Sequence, residues 1–343
     1  MTDTDTSTTP PDAAAEDRFR KLANAYQISC AVNAAARLRL YENLDHAPVP
    51  ANILAERVGA SAGPFRRLLD FLAQLGVVRI NSSAHVSQTD LTPLLASVDS
   101  IAEGDHAVDA WQALPEALKT NKTPFEVAHG APFYAVAKNN DARAAAWIDR
   151  NRRIAARWAG PVADALPLRA GARIADLGAG NLALARAVAR RQNDADIIVA
   201  DLPFVIEELG GADRSPLDDR HISLLPCNLL EDPIPEADAF TLSRVLLNFG
   251  DKDVIAILQK CRQSLREDGR IFIAETLMPA PDDPRRAFQA AHDLHLHVLW
   301  GSKQRTFEAF AELITEAGLA PTETIDVFDQ GQSLCTVVVA GHR

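Results

Sequence analysis

The sequence predicts an α/β chain of two domains, a mostly helical winged-helix domain followed by a parallel sheet covered on both faces by helices. Three observations carry that prediction. Short amphipathic helices close on a strand, turn, strand unit before residue 100. After Leu168 the chain alternates short apolar runs with longer helical patterns, the signature of strands and crossover helices. The length of 343 residues exceeds one small domain and fits two, and 47% hydrophobic with 24% charged residues is an ordinary globular composition.

The first sixteen residues, MTDTDTSTTPPDAAAE, offer almost nothing to bury. Ordering them would cost entropy without return, so a disordered tail is expected over 1–16. Residues 17–100 then read as helical with short loops. A helix around Ala23 to Leu38 leads into VPANILAERVG and SAGPFRRLLDFLAQLGVV. Leu54 and Val58 in the first, and Leu68, Leu69, Phe71, Leu72 and Leu75 in the second, recur at helical spacing and give each helix an apolar stripe. With VVRI and HVS joined through SS, the order is that of a winged helix-turn-helix. Such a motif ordinarily sets its second helix in the major groove of DNA. Here that helix offers only Arg66 and Arg67, and a net charge of -11 with a pI near 5.3 repels a phosphate backbone. A structural use is the better reading, and nucleic acid is not an expected partner.

A helical connector is expected over 101–168, interrupted by KTNKTPFEVAHGAPFY. Within WIDRNRRIAARW, Arg150, Arg153 and Arg157 share one face while Trp147, Asn151, Ile154 and Trp158 share another. A solvated basic stripe beside a packed one accounts for this pattern. The sharper alternative has Asn151, with Arg150 or Arg153, bordering a substrate pocket and meeting an anionic group. No segment approaches the roughly 18 apolar residues of a membrane span, and the amino terminus has no basic region followed by an apolar stretch, so a cytoplasmic protein is expected. Cys30, Cys227, Cys261 and Cys335 lie far apart without a CxxC pair, which signals neither a zinc site nor a disulfide framework. Free, mostly buried thiols and no metal are expected.

Residues 169–343 carry the chemistry. RIADLG, LALARAVARRQ, DIIVADLP, FVIEEL, AFTLSRVLL, DVIAILQKCRQSL and GRIFIAETL alternate strand and helix, and a sheet so built binds ligands at the carboxyl ends of its strands, where the strand order reverses. IADLGAGNLA places Gly178 and Gly180 between a strand and a helix, where glycine lets a ligand lie against bare main chain. Twenty-one residues beyond Gly180, Asp201 ends the next strand, in position to accept two hydrogen bonds from a ribose diol. The pair points to a nucleoside-bearing cofactor without separating a dinucleotide from S-adenosylmethionine.

Taken in order, DLGAGN, ADLPFVIEE, NLLEDPIPEAD, LSRVLLNFGDKDVIAILQKCRQSL, GRIFIAETLMP and GSKQRTFEAFAELITEAGL resemble the successive motifs of the S-adenosylmethionine-dependent small-molecule O-methyltransferases of plant phenolic and bacterial natural-product type. The resemblance runs from about residue 19 to the carboxyl terminus. It implies a Rossmann-like class I methyltransferase domain behind a winged-helix dimerisation domain, hence a homodimer acting on a small molecule, with S-adenosylmethionine or its demethylated product bound. By that resemblance Asp176, Gly178 and Gly180 face the methionine portion of the cofactor and Asp201 and Leu202 its ribose. Asn228 and Leu229 stand where the family commonly has Asp and Met around adenine, Ser243 takes a further cofactor-side position, and Leu182 replaces a usual glycine.

The same resemblance exposes a gap at SRVLLNFGD. Where the family has a general-base His followed by an acid, this chain has Leu247 and Asn248, expected to line the substrate together with Trp300. Of two supporting glutamates in plant members, Glu275 is kept and the other falls on Gln304. A phenol of pKa near 10 is about one part in a thousand ionised at neutral pH, roughly 4 kcal/mol of missing activation. Three supplies are conceivable. His292 or His295 in AAHDLHLHVLW, which matches the family's substrate-lining helix, could replace the base, and Asp293 with His297 could form an oriented pair on another face. The acceptor could already be nucleophilic, as a neutral nitrogen or an acidic enol is, leaving proximity and orientation to do the rest. Or the fold could serve decarboxylation, hydroxylation or a pericyclic reaction instead. Methylation is the reading taken, with O-methylation ahead of N-methylation.

Overall fold

The computed structural model describes residues 12–97, 107–138, 141–211 and 221–343, with the backbone alone for 137–138, 141–152 and 211. These fall into two compact units, within 1–102 and within 103–343. Among the described residues no helix is long and apolar enough to cross a membrane.

The first unit runs α1 (Ala13–Ala23), α2 (Tyr26–Arg37), β1 (Val49–Pro50), α3 (Ala51–Arg57), α4 (Ala62–Gln74), β2 (Val78–Ile80) and β3 (His85–Gln88). Asp12 caps α1, its Oδ1 accepting from the Ala15 N–H at 2.6 Å, as a short acidic side chain does ahead of an alanine-rich turn. The helix therefore begins inside the stretch expected as a tail over 1–16, of which residues 1–11 lie outside the described ones. The helix expected around Ala23 to Leu38 is α2, and α1 precedes it, ended by Asn24, whose Nδ2 donates to the Arg20 carbonyl at 2.9 Å. Leu54, Phe65, Leu69 and Leu72 from α3 and α4 meet Leu40, Val78 and Val86 in one buried cluster. Beneath them lies a three-stranded antiparallel sheet of order β1-β3-β2, with Val49 opposite Val86 and Val78 opposite Gln88. The expected wing is present, with β1 as an added strand. α1 buries nothing: Phe19 and Leu22 are 71% and 68% exposed.

The second unit opens with a helical stretch over 107–112, then α5 (Leu114–Ala117), α6 (Pro124–His129), α7 (Phe133–Lys138) and α8 (Asp141–Ala165). The segment KTNKTPFEVAHGAPFY, expected as an interruption, contains α6, which a capping box begins: the Glu126 N–H donates to Thr123 Oγ1 and Glu126 Oε2 accepts from the Thr123 N–H. The sheet domain follows as β4 (Arg173–Leu177), α9 (Ala183–Arg191), β5 (Asp196–Asp201), α10 (Pro203–Gly211), β6 (Ile222–Pro226), β7 (Ala237–Ser243), α11 (Asp251–Ser264), β8 (Leu265–Glu275), α12 (Arg286–Trp300), α13 (Phe307–Glu316), β9 (Leu319–Asp329) and β10 (Gln332–His342).

Its seven strands lie in the order β6-β5-β4-β7-β8-β10-β9, parallel except that β10 runs antiparallel to β8 and β9. The chain leaves β4 outward through β5 to β6 and returns on the other side of β4 as β7, so β4 and β7 bound the switch point. Successive residues serve opposite faces, as the strand period requires: Ile174, Ile197 and Val199 pack with Trp158 and Val162 of α8 on one side, while Ala175, Ile198 and Phe240 pack with Val254 and Leu258 of α11 on the other. Cys227, Cys261 and Cys335 are buried and Cys30 is exposed, all four free.

Candidate active site

At the switch point the carboxyl ends of β4, β5 and β7 open into a cavity of about 320 Å³. Gly178 leaves β4 with φ of 66° and donates its N–H to the Ala200 carbonyl at 2.7 Å. A Cβ there would lie 2.9 Å from the Val245 side chain, so both the left-handed backbone and the close approach call for glycine. Asp201 Oδ2 accepts from the Gly180 N–H at 2.6 Å and Oδ1 from the Leu202 N–H at 2.7 Å, which ties the glycine loop to the end of β5. Asp176 Oδ1 accepts from Thr241 Oγ1 at 2.7 Å, whereas its Oδ2 is buried with no hydrogen-bond partner. Burial pushes the Asp176 carboxyl up to about 7, against the Thr241 hydrogen bond and with help from Asp201. Burial likewise pushes Asp201 up to about 6, opposed by its two backbone bonds. Leu182 is buried in the core beside α9 and does not line the cavity, so its side chain does not crowd the glycine loop.

After β7 the backbone turns sharply, Arg244 taking a φ of 58°, into a single 3-10 turn over Leu246–Asn248. Polar groups from elsewhere hold this turn by its main chain. The Leu247 N–H donates to Glu275 Oε1 at 3.2 Å, Ser302 Oγ donates to the Leu247 and Phe249 carbonyls, and Arg305 donates to the Leu246 and Phe249 carbonyls at 3.0 and 2.7 Å. Arg305, 2% exposed, also engages Asp251 Oδ1 through Nε and Nη2. Glu275 is fully buried and does not reach the cavity, so its expected place in the catalytic group becomes that of an anchor for Leu247. Burial pushes its carboxyl up to about 7, against the pull of Arg244 and the Leu247 N–H.

The opposite wall comes from α12 and the helices before the sheet. His292, His295, Leu296 and Trp300 of α12 line the cavity, as do Tyr134 of α7 and Ile154 and Trp158 of α8. Trp111 donates its indole N–H to His295 Nδ1 at 3.2 Å. Arg244 stacks its guanidinium 5.0 Å from the Trp158 ring centre. The Tyr134 hydroxyl is driven far above its ordinary value by burial and by nearby Asp201, so it stays protonated.

Of the residues singled out by sequence, Asp176, Gly178, Gly180, Asp201, Leu202, Asn228, Leu229, Ser243, Leu247, Asn248, His292, His295 and Trp300 line this one cavity. The side chains of Arg150 and Asn151 lie outside the described residues, although their helix supplies Ile154 and Trp158. Asn228 turns its Oδ1 to the Leu230 N–H, inside its own turn. The expected Asp293 and His297 pair is replaced by another bond: Asp293 Oδ1 accepts from the Gln304 N–H at 2.6 Å, holding the loop after α12. Gln304 itself donates to Gln289 Oε1 and the Thr276 carbonyl. Sequence reasoning missed Tyr134, Asn181 and Arg244. Tyr134 ends the KTNKTPFEVAHGAPFY segment set aside as an interruption, and the other two are neighbours of motif residues.

Comparison with known proteins bears on what this arrangement does. Residues 111–320 match the family model of the O-methyltransferase domain, and residues 20–97 match that of the O-methyltransferase dimerisation domain. A phenazine O-methyltransferase of Lysobacter antibioticus is 26% identical over 308 residues, 88% of this chain and 89% of that protein. A mitomycin biosynthesis 6-O-methyltransferase of Streptomyces lavendulae is 28% identical over 324 residues, 90% of each. The solved structure of a mitomycin 7-O-methyltransferase superposes with a TM-score of 0.85 at 26% identity, covering 96% of this chain and 98% of that one.

Proposed function

This chain belongs to the family of S-adenosylmethionine-dependent small-molecule O-methyltransferases, and on that premise we propose that it methylates a hydroxyl of a polycyclic or heteroaromatic secondary metabolite without the family's usual histidine base. The observation that carries this reading is the coexistence, around one cavity, of a complete cofactor end and an altered acceptor end. At the cofactor end, Asp176 Oδ2 and Asn181 Nδ2 are buried without hydrogen-bond partners, an acceptor and a donor matched to the ammonium and carboxylate of a methionine moiety. Asp201 suits a ribose diol, and Cys227, Asn228 and Leu229 border the space for the adenine. Bound there, the cofactor would supply an electrophilic methyl group, with Asp176 and Asn181 holding its methionine end and Asp201 its ribose.

At the acceptor end Leu247 and Asn248 can take no proton at neutral pH. His292 and His295 are the nearest replacements on α12, and Trp300 and Leu247 supply apolar walls for a flat ring system. Substrates named for the relatives, phenazine and mitomycin, are fused-ring compounds, which supports that substrate class. An acceptor whose hydroxyl is already acidic, or whose nitrogen is neutral, needs the least help at this wall. We assign the dimerisation domain to a homodimer.

The test is turnover with S-adenosylmethionine and a panel of hydroxyphenazines and hydroxyquinones. S-adenosylhomocysteine should accumulate in step with a product heavier by one methyl group. A transformed acceptor without S-adenosylhomocysteine would sink the reading.

A further inference from the structure

We infer that Lys260 of α11, which does not line the cavity, is a positioning residue for the base of the cofactor: it fixes the loop over 227–233 and so lets that loop tell adenine from a 6-oxopurine. The inference rests on the reading above that Cys227, Asn228 and Leu229 border the space for the adenine. An ammonium carries three N–H donors and no acceptor. Here all three are matched by the main chain of one short loop, the Leu229, Leu230 and Asp232 carbonyls accepting from Lys260 Nζ at 3.0, 2.7 and 2.9 Å. A surface lysine beside an acidic run such as NLLEDPIPEAD ordinarily pairs with a carboxylate. The Asp232 carboxylate instead turns back on its own loop, its Oδ2 accepting from the Asn228 N–H at 2.8 Å.

Both ends of the loop are tied as well. The Cys227 N–H donates to the Asp201 carbonyl at 2.7 Å. Ser264 Oγ, one turn along α11 from Lys260, donates to the Ile234 carbonyl at 2.9 Å. The loop is thus strung between β5 and α11 with Lys260 at its middle, and α11 is a firm support because Val254, Ile257, Leu258 and Cys261 are buried against the sheet. On its other side Asn228, Leu229 and Leu230 line the cavity. Asn228 Oδ1 accepts from the Leu230 N–H at 3.1 Å, so the same turn that Lys260 holds also orients the carboxamide. Adenine presents an amino donor beside a ring-nitrogen acceptor, and a 6-oxopurine reverses both. A polar group fixed in place leaves the wrong base unpaired, whereas a loose one turns to suit either. Lys260 supplies the fixing without touching the ligand, since its donors are already spent on the loop.

The experiment is equilibrium binding of S-adenosylhomocysteine and S-inosylhomocysteine to the full chain. Wild type should prefer the adenosyl ligand by about tenfold or more, the worth of one hydrogen bond left unmade. Lys260→Met keeps the apolar stem without the donors. It should bring the two affinities within about threefold of each other, chiefly by weakening the adenosyl ligand. Lys260→Arg, which keeps a cationic donor, should hold the preference within about threefold of wild type. Hydrogen exchange without ligand should run about tenfold faster over 227–234 in Lys260→Met, with β4 and β5 exchanging as in wild type. A wild type with no preference between the bases would overturn the inference. So would a Lys260→Met variant that weakens both ligands by the same factor, which is what a lysine that only stabilises the fold would do. Lys260→Gln carries the same expectations as Lys260→Met if the methionine variant does not fold. Failure of wild type to bind S-adenosylhomocysteine would instead remove the methyltransferase reading, and exchange over 227–234 would still decide whether Lys260 holds the loop.

Discussion

Asp201 accepts two backbone N–H bonds at the end of β5 and keeps the glycine loop against the sheet. Removing it costs both that tie and the proposed ribose contact. Asp201→Ala should weaken S-adenosylhomocysteine binding by one to two orders of magnitude in calorimetry, about the loss of hydrogen bonds to a charged group. Leu247 allows the opposite kind of test. Leu247→His should raise turnover of weakly acidic phenols by about 100-fold or more, the usual worth of a positioned base, and leave acceptors that are already ionised nearly unaffected. Glu275 carries a pH prediction. Burial holds its carboxyl at about 7 in the folded chain, above the ordinary 4.5, so between these the unfolded chain releases a proton that the folded one retains. That contribution to stability is complete below about 4.5 and is lost as pH rises through about 7. Glu275→Gln should therefore melt higher than wild type at pH 8 and alongside it at pH 4.5, by scanning calorimetry. Much of this was legible residue by residue, since Gly178, Gly180 and Asp201 sit at the ends of strands that their own apolar runs announce. The bond from Trp111 to His295 was not, because the two stand 184 positions apart.

At the scale of elements, the 3-10 turn after β7 depends on partners far along the chain. Arg305 fills the space beneath it with a buried guanidinium, and Arg305→Ala would remove its bonds to the Leu246 and Phe249 carbonyls and to Asp251, leaving Phe249 with its Ser302 donor alone. A loss on the order of 3 kcal/mol is expected, read as a fall in Tm on the order of 10 °C, with weakened S-adenosylhomocysteine binding because Ser243, Arg244 and Val245 adjoin the same turn. Two elements went unread in the sequence although their signals were present. Thr123 with Glu126 is a capping box that begins α6, hidden by the polar KTNKT run ahead of it. The β9 and β10 hairpin turns at Gln330 and Gly331, with φ of 48° and 79°, the left-handed pair of a two-residue hairpin turn. Its strands alternate imperfectly, with several consecutive buried residues in β10.

For the whole molecule, a run of exposed apolar residues lies on the first helices. Phe19, Leu22 and Tyr26 are 71%, 68% and 62% exposed, next to a segment that matches a dimerisation domain. A second copy covering this face is the proposed arrangement, and a Phe19→Glu, Leu22→Glu variant should elute as a monomer in size-exclusion chromatography with its far-ultraviolet circular dichroism retained. That a helical part precedes a strand–helix part was legible because helical and strand periods change after Leu168, whereas the two compact units divide at residues 102 and 103, which puts the helices before the sheet in the second unit. The point where α1 begins was not, since an alanine-rich tail and an alanine-rich helix differ only in the capping of Asp12.

The groups from elsewhere that secure Leu246 to Phe249 all grip peptide groups, and of the two pocket-facing side chains only Asn248 reaches back to the turn, its Nδ2 donating to the Arg244 carbonyl at 3.4 Å. What projects from position 247 is thus decoupled from whether the local backbone forms. Descent with modification can rewrite that one letter, histidine to leucine or the reverse, while leaving the scaffold intact, so new reactivity is reachable here in a single step.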